Sequence, residues 1–151
     1  MTYRKMLAAL GAMTWISSCT PMPAMASECA VIGDSIASAQ GLGGEFPECH
    51  MNAKIGIPAS AIVERANIHG AKFVIVSAGS NPEGSPLWGQ LERIRGRIEA
   101  DEVVWIVPHA FIAGGIVRKF AADHGDKAVG FAGELHPYSY QALARDVRKA
   151  L

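Results

Sequence analysis

Phe73-Val74-Ile75-Val76-Ser77-Ala78-Gly79-Ser80-Asn81, followed after about twenty residues by Val103-Val104-Trp105-Ile106-Val107, is the stretch whose reading decides the fold. Both apolar runs are short, rich in β-branched residues and closed by turn formers, as strands buried on both faces of a parallel sheet are. Between them Leu87, Leu91, Ile94 and Ile98 recur at spacings of four, three and four, the period of a helix with one apolar face. Ser85-Pro86 offers an N-cap with Pro at the first helical position. Strand, helix and strand in that order make a crossover unit, which is right-handed in such sheets.

The same alternation continues outward. Ala30-Val31-Ile32, ending at Gly33, is a brief buried strand; Met51 to Ile55 is a second and Ala128 to Phe131 a fifth. Residues 58–66, 111–124 and 138–150 are expected helices, the last with Tyr140, Ala144, Val147 and Leu151 on one face. No internal repeat and no interdomain linker interrupts the pattern. The expectation is therefore an α/β chain: one doubly wound, flavodoxin-like domain over residues 27–151, with a five-stranded parallel sheet and helices on both faces.

The first 26 residues read differently. Arg4 and Lys5 precede a mostly apolar stretch from Met6 to Ser18, and Ala24-Met25-Ala26 follows as an A-x-A cleavage site, the layout of a secretory signal peptide over residues 1–26. The apolar run of 13 residues is shorter than the ~20 that a membrane-spanning helix needs. Ile16-Ser17-Ser18-Cys19 also resembles a lipoprotein box, which would place the cut before Cys19 and anchor the chain there by lipid. A periplasmic or secreted protein is expected. The whole sequence has 14 basic and 14 acidic groups, and removal of Arg4 and Lys5 leaves a net charge of −2. No basic surface for nucleic acid follows from such totals, and no other segment is apolar enough to span a membrane.

Export gives the cysteines a meaning. Cys19 falls in the leading segment, so Cys29 and Cys49 remain, each just before a predicted strand; a disulfide between them is expected. No C-x-x-C occurs and the five histidines are scattered, so no metal site is expected. Arg93, Arg95 and Arg97 alternate with Ile94 and Gly96 amid acids and are read as a solvated helix face rather than an anion site. His69, before Gly70, is read as the end of a helix. Trp88 and Trp105 are read as packing residues, with Trp88 near enough to the Asn81 loop to line a pocket.

In an open parallel sheet the functional crevice lies beyond the carboxyl ends of the strands. Gly33-Asp34-Ser35, Gly56, Gly79-Ser80-Asn81, Pro108-His109 and Gly133-Glu134-Leu135-His136-Pro137 follow the five strands in turn. A serine, a free backbone N–H at a glycine, an asparagine amide and a histidine on one rim are the groups of nucleophilic acyl chemistry.

Val31-Ile32-Gly33-Asp34-Ser35, Lys54-Ile55-Gly56, Gly79-Ser80-Asn81 and His136-Pro137 resemble the four blocks of the SGNH hydrolases, the GDSL-type esterases and lipases. They occur in family order and cover residues 30 to about 147. The resemblance implies Ser35 as nucleophile and His136 as general base. It implies an oxyanion hole from the N–H groups of Ser35 and Gly56 and the Asn81 amide, with Asp34 shaping the turn. It implies no metal and no organic cofactor. Two positions depart from the pattern. The family commonly has an Asp three residues before the His, where this chain has Gly133; Glu134 is the nearest replacement to orient the ring, and Asp126 a poorer one. Pro82 stands where an Asp often follows the Asn, and it restricts Asn81 to extended backbone.

The function expected from these residues is an exported serine esterase, acting as a monomer on a small-molecule or glycan-borne ester. The alternative is a catalytically silent module of the same fold binding a glycan or acyl ligand. A chain this short leaves no room for a large lid, which favours short acyl or acetyl esters.

Overall fold

The computed structural model describes residues 27–151; the expected export segment, with Cys19 and Ala24-Met25-Ala26, lies outside the described residues. Five strands, β1 (Cys29–Gly33), β2 (His50–Ala53), β3 (Ile68–Ser77), β4 (Ile98–Ile106) and β5 (Lys127–Val129), form one sheet in the order β2-β1-β3-β4-β5. Every neighbouring pair is parallel, which is the flavodoxin-like doubly wound order. Four helices, α1 (Ala59–Val63), α2 (Leu87–Arg95), α3 (Phe111–His124) and α4 (Tyr140–Ala150), and a 3-10 turn over Leu42–Glu45 complete it.

Alternation along each strand sorts the core into two layers. Ala30, Ile32, Val74, Val76, Val103 and Trp105 point to the face covered by α1, α2 and α3, where they meet Ile62, Leu91, Ile94, Val117 and Phe120. Val31, Ile75, Val104 and Ile106 point to the other face, covered by the 3-10 turn and α4 through Leu42, Phe46, Leu143 and Val147. The amphipathic period of residues 138–150 is thus satisfied by one sheet face. α4 packs against β5 and the 3-10 turn, and the β5–α4 connection reaches across the carboxyl edge of the sheet to the turn after β1.

Cys29 and Cys49 are joined by a disulfide at a Cα–Cα distance of 4.7 Å. It ties the start of β1 to the approach of β2, its edge neighbour, and closes a loop worth about 3 kcal/mol of unfolded-state entropy.

Several local expectations are corrected. Ser85 does not cap α2: Pro86 occupies the N-cap in extended backbone, no side chain caps there, and the helix begins at Leu87. Ile98 does not continue that helix. It opens β4 opposite Ile68, buried, after Gly96 ends the helical turn. His69 ends no helix; it lies in β3 beside Gly70, whose φ of +68° marks the register break between Ile68 and Ala71. Arg95 does not belong to a solvated face. Its Nε donates to Asp126 Oδ2 at 2.8 Å, and Trp105 Nε1 donates to the same oxygen at 2.9 Å. Asp126 precedes β5, so its carboxylate is committed at the sheet's amino edge, away from the rim.

Candidate active site

The nucleophile turn is built on a close approach of backbones. Gly33, at the end of β1, has φ +142°, and a Cβ there would lie 2.2 Å from the Ser77 carbonyl oxygen, so only glycine fits. Asp34 N–H then donates to Ser77 O at 3.2 Å, and the Asp34 carboxylate turns inward. Its Oδ1 accepts from Ile36 N–H at 3.1 Å and from Ser77 Oγ at 2.7 Å. An aspartate bonded to the amide two residues on is a self-made turn, and it leaves Ser35, half-buried, facing the rim.

His136 reaches that turn through the β5–α4 loop. Gly133 and Pro137 bridge antiparallel, and Tyr138 N–H donates to Ala132 O at 2.9 Å, so the loop is closed on itself. Ser139 caps α4, its Oγ accepting from Ala142 N–H at 3.1 Å. Between these two fixtures His136 Nε2 lies 2.9 Å from Ser35 Oγ. With the ring proton on Nδ1, Ser35 donates to Nε2, the contact a general base needs.

Among the described residues no carboxylate is hydrogen-bonded to the His136 ring. Glu134 is exposed and is not brought to it. The acid in electrostatic reach is Asp34, beneath the nucleophile, whose charged form is favoured by His136. Burial pushes the Asp34 carboxyl above its ordinary value of 3.8, against the opposing pull of the Ser77 and Ser80 hydroxyls, the Ile36 N–H and His136. Asp34 Oδ2 and Ser80 Oγ are both buried without a partner in good hydrogen-bond geometry. They are nevertheless close enough for the hydroxyl to favour the carboxylate, so a small rotation of Ser80 completes the pair.

A carboxyl raised in the native state makes the folded protein bind more protons than the unfolded chain. Stability from this group is full below the unfolded value and lost as pH rises through the folded one. Asp34→Asn keeps the Oδ1 acceptor and adds an N–H toward Ser80. It is expected to remove that decline and raise the thermal midpoint at pH 7 relative to pH 4. Thermal unfolding of both proteins across that range is the measurement; a parallel pair of curves contradicts it.

Asn81 is half-buried after β3, and its Nδ2 donates to Ile57 O at 3.0 Å. An amide nitrogen has two hydrogens, so one N–H remains available while the other ties this loop to the one carrying Gly56. Gly56 adopts φ +76°. Neither its N–H nor that of Ser35 is spent on a backbone partner. Glu83 adds a second tie, accepting from Ser60 N–H at 3.1 Å in the first turn of α1. The arrangement can supply a nucleophile with its base and up to three donors for a developing oxyanion. Asn81→Ala is expected to lower ester turnover by about 10²–10³ with little change in KM; an unchanged kcat would remove Asn81 from that role.

No protein-family model matches the chain, and no curated protein matches it in sequence. Among solved structures, the C-terminal catalytic domain of peptidoglycan O-acetyltransferase A (OatA) from Streptococcus pneumoniae, determined with a methylsulfonyl adduct, is similar. The TM-score is 0.55 at 17% identity, over 85% of this chain and 94% of that one. The fold is SGNH hydrolase-like. Ser77, and Ser80 inside the third block, carry hydroxyls that act on the Asp34 carboxylate, a role without a clear sign in the sequence. His109 and Trp88 line a cleft of about 520 Å³ beside α3, and Trp88 packs edge-on to Phe120 at 5.2 Å.

Proposed function

We propose that the protein is an exported serine esterase that hydrolyses carboxylic esters through an acyl-enzyme on Ser35. The 2.9 Å contact between Ser35 Oγ and His136 Nε2 carries this reading, since the two residues are 101 positions apart in sequence and both lie on loops. Ser35 Oγ attacks the ester carbonyl while its proton passes to His136 Nε2. The carbonyl oxygen becomes an oxyanion facing the free N–H groups of Ser35, Gly56 and Asn81. Collapse breaks the bond to the alcohol oxygen, which takes the proton from His136. Water then attacks the acyl-serine, again giving its proton to His136, and collapse releases the acid and restores Ser35. The Cys29–Cys49 disulfide and the expected signal peptide support a periplasmic or secreted site of action.

A second reading, transfer of the acyl group to a sugar hydroxyl in place of water, is favoured by the similarity to an O-acetyltransferase domain. Both share the first half-reaction. Incubation with p-nitrophenyl acetate in the presence and absence of a soluble oligosaccharide separates them. Free acetate alone supports hydrolysis, and acetylated sugar supports transfer. Absence of any acyl-Ser35 overturns both.

A further inference from the structure

We propose that the cleft between the loop over residues 79–87 and the start of α3 is an acyl-chain pocket, making the protein selective for esters of medium-chain acids. The proposal rests on the Ser35 esterase reading. The cleft has a volume of about 310 Å³ and is lined by Gly79, Ser80, Asn81 and Leu87 from the loop and by Ile112 and Ile116 from α3.

Three observations support this occupant. First, Asn81 belongs to both the cleft wall and the set of oxyanion donors. An acyl group on Ser35 with its carbonyl oxygen at Asn81 therefore starts at the mouth of the cleft. Second, the two sides of the site lie on opposite faces of the sheet. His136 arrives with α4, which covers one face, whereas Leu87 and Ile116 pack with the other. The leaving alcohol must lie beside His136 to receive its proton, so the acyl substituent lies on the far side, where the cleft is. Third, five of the six large exposed apolar residues among those described, Ile55, Phe111, Ile112, Leu135 and Tyr138, stand on loops or at a helix start beyond the carboxyl ends of strands. Apolar exposure gathered at one edge marks a surface that meets an apolar partner.

The size sets the chain length. Water occupies about 30 Å³ in the liquid and a methylene a similar volume, so the cleft holds roughly eight to ten carbons. The expectation of acetyl preference came from the absence of a lid. Here the chain is received between packed elements, and no lid is required.

The test combines turnover with binding. With p-nitrophenyl esters from acetate to dodecanoate, kcat/KM is expected to rise about two- to fourfold per methylene up to octanoate and then level. Ile112→Trp, at a position 76% exposed and so tolerant of a larger side chain, is expected to flatten the rise, bringing kcat/KM for octanoate down toward that for acetate in the same variant. Binding is read separately by titrating octanoate into Ser35→Ala and following backbone amide shifts at Leu87, Ile112 and Ile116. Turnover with a flat or falling series and no such shifts overturns the pocket and leaves the esterase standing. Shifts in the cleft with no turnover of any ester retain the pocket and overturn the esterase. A rise that survives Ile112→Trp overturns the assignment to this cleft.

Discussion

Ser35→Ala is expected to lower ester turnover by about 10⁴–10⁶ and to abolish labelling by a fluorophosphonate, with the fold unchanged. The size of the effect follows from the geometry. Ser35 Oγ is the hydroxyl paired to His136, at 2.9 Å, and the donors around it cannot make a covalent intermediate without it. His136→Ala is expected to cost nearly as much, and the double variant no more than either single one, because the two groups act as a unit. Ser35 is half-buried on a turn held by Asp34 and Gly33, so a smaller side chain there leaves the scaffold intact. Mass spectrometry of the labelled protein locates the adduct. Labelling elsewhere, or unchanged turnover in Ser35→Ala, overturns the proposed function.

Gly133→Asp is expected to reduce activity about 10²-fold, the cost of an ångström-scale misplacement of a catalytic group, although it installs the residue that the SGNH pattern commonly has there. In a serine protease the acidic partner contributes about 10⁴ in turnover, so the simple expectation is a gain. The backbone forbids it. Gly133 has φ +155°, and a Cβ at this position would lie 2.1 Å from the His136 carbonyl oxygen and 3.0 Å from its carbon. Relief requires opening the Gly133–Pro137 bridge, which is the loop that presents the imidazole to Ser35. Strain of this kind costs about 1–3 kcal/mol, on the order of 10 °C of thermal stability in a domain of this size. Gly133→Ala carries the same clash without the charge. Equal losses in Asp and Ala variants identify sterics as the cause, whereas an Asp variant more active than the parent would mean that the loop reopens to admit a third catalytic member.

The frame of the molecule was legible in the sequence because apolar periodicity is a direct image of burial. Phe73–Val76 and Val103–Val107 read as strands because they are short, rich in β-branched residues and closed by turn formers, and residues 111–124 matched α3 to the residue. Boundaries that depend on pairing were not legible. Ile68 and Ile98 join strands because they face each other across β3 and β4, a contact separated by 30 positions that no local pattern contains. The rim residues Ser35, Asn81 and His136 could be singled out because each follows a strand. Their companions could not. Ser77 and Ser80 look like ordinary turn serines until the approach of β1 to β3 places Asp34 against them. Gly133 was visible as a missing acid, but its steric role depends on a backbone angle and a carbonyl three residues away.

The sheet has a consequence for how the molecule opens. Amide hydrogens of Val74, Ile75 and Val76 sit in a strand paired on both sides and covered on both faces, so their exchange with solvent deuterium requires global unfolding. The loops that carry Ser35, Asn81 and His136 lie outside the paired strands and are each held by a few hydrogen bonds, and their amides exchange through openings of lower free energy. Mild denaturant therefore separates two populations of the same chain: one whose strands are still fully protected, and, within it, a fraction whose Ser35 and His136 have already parted.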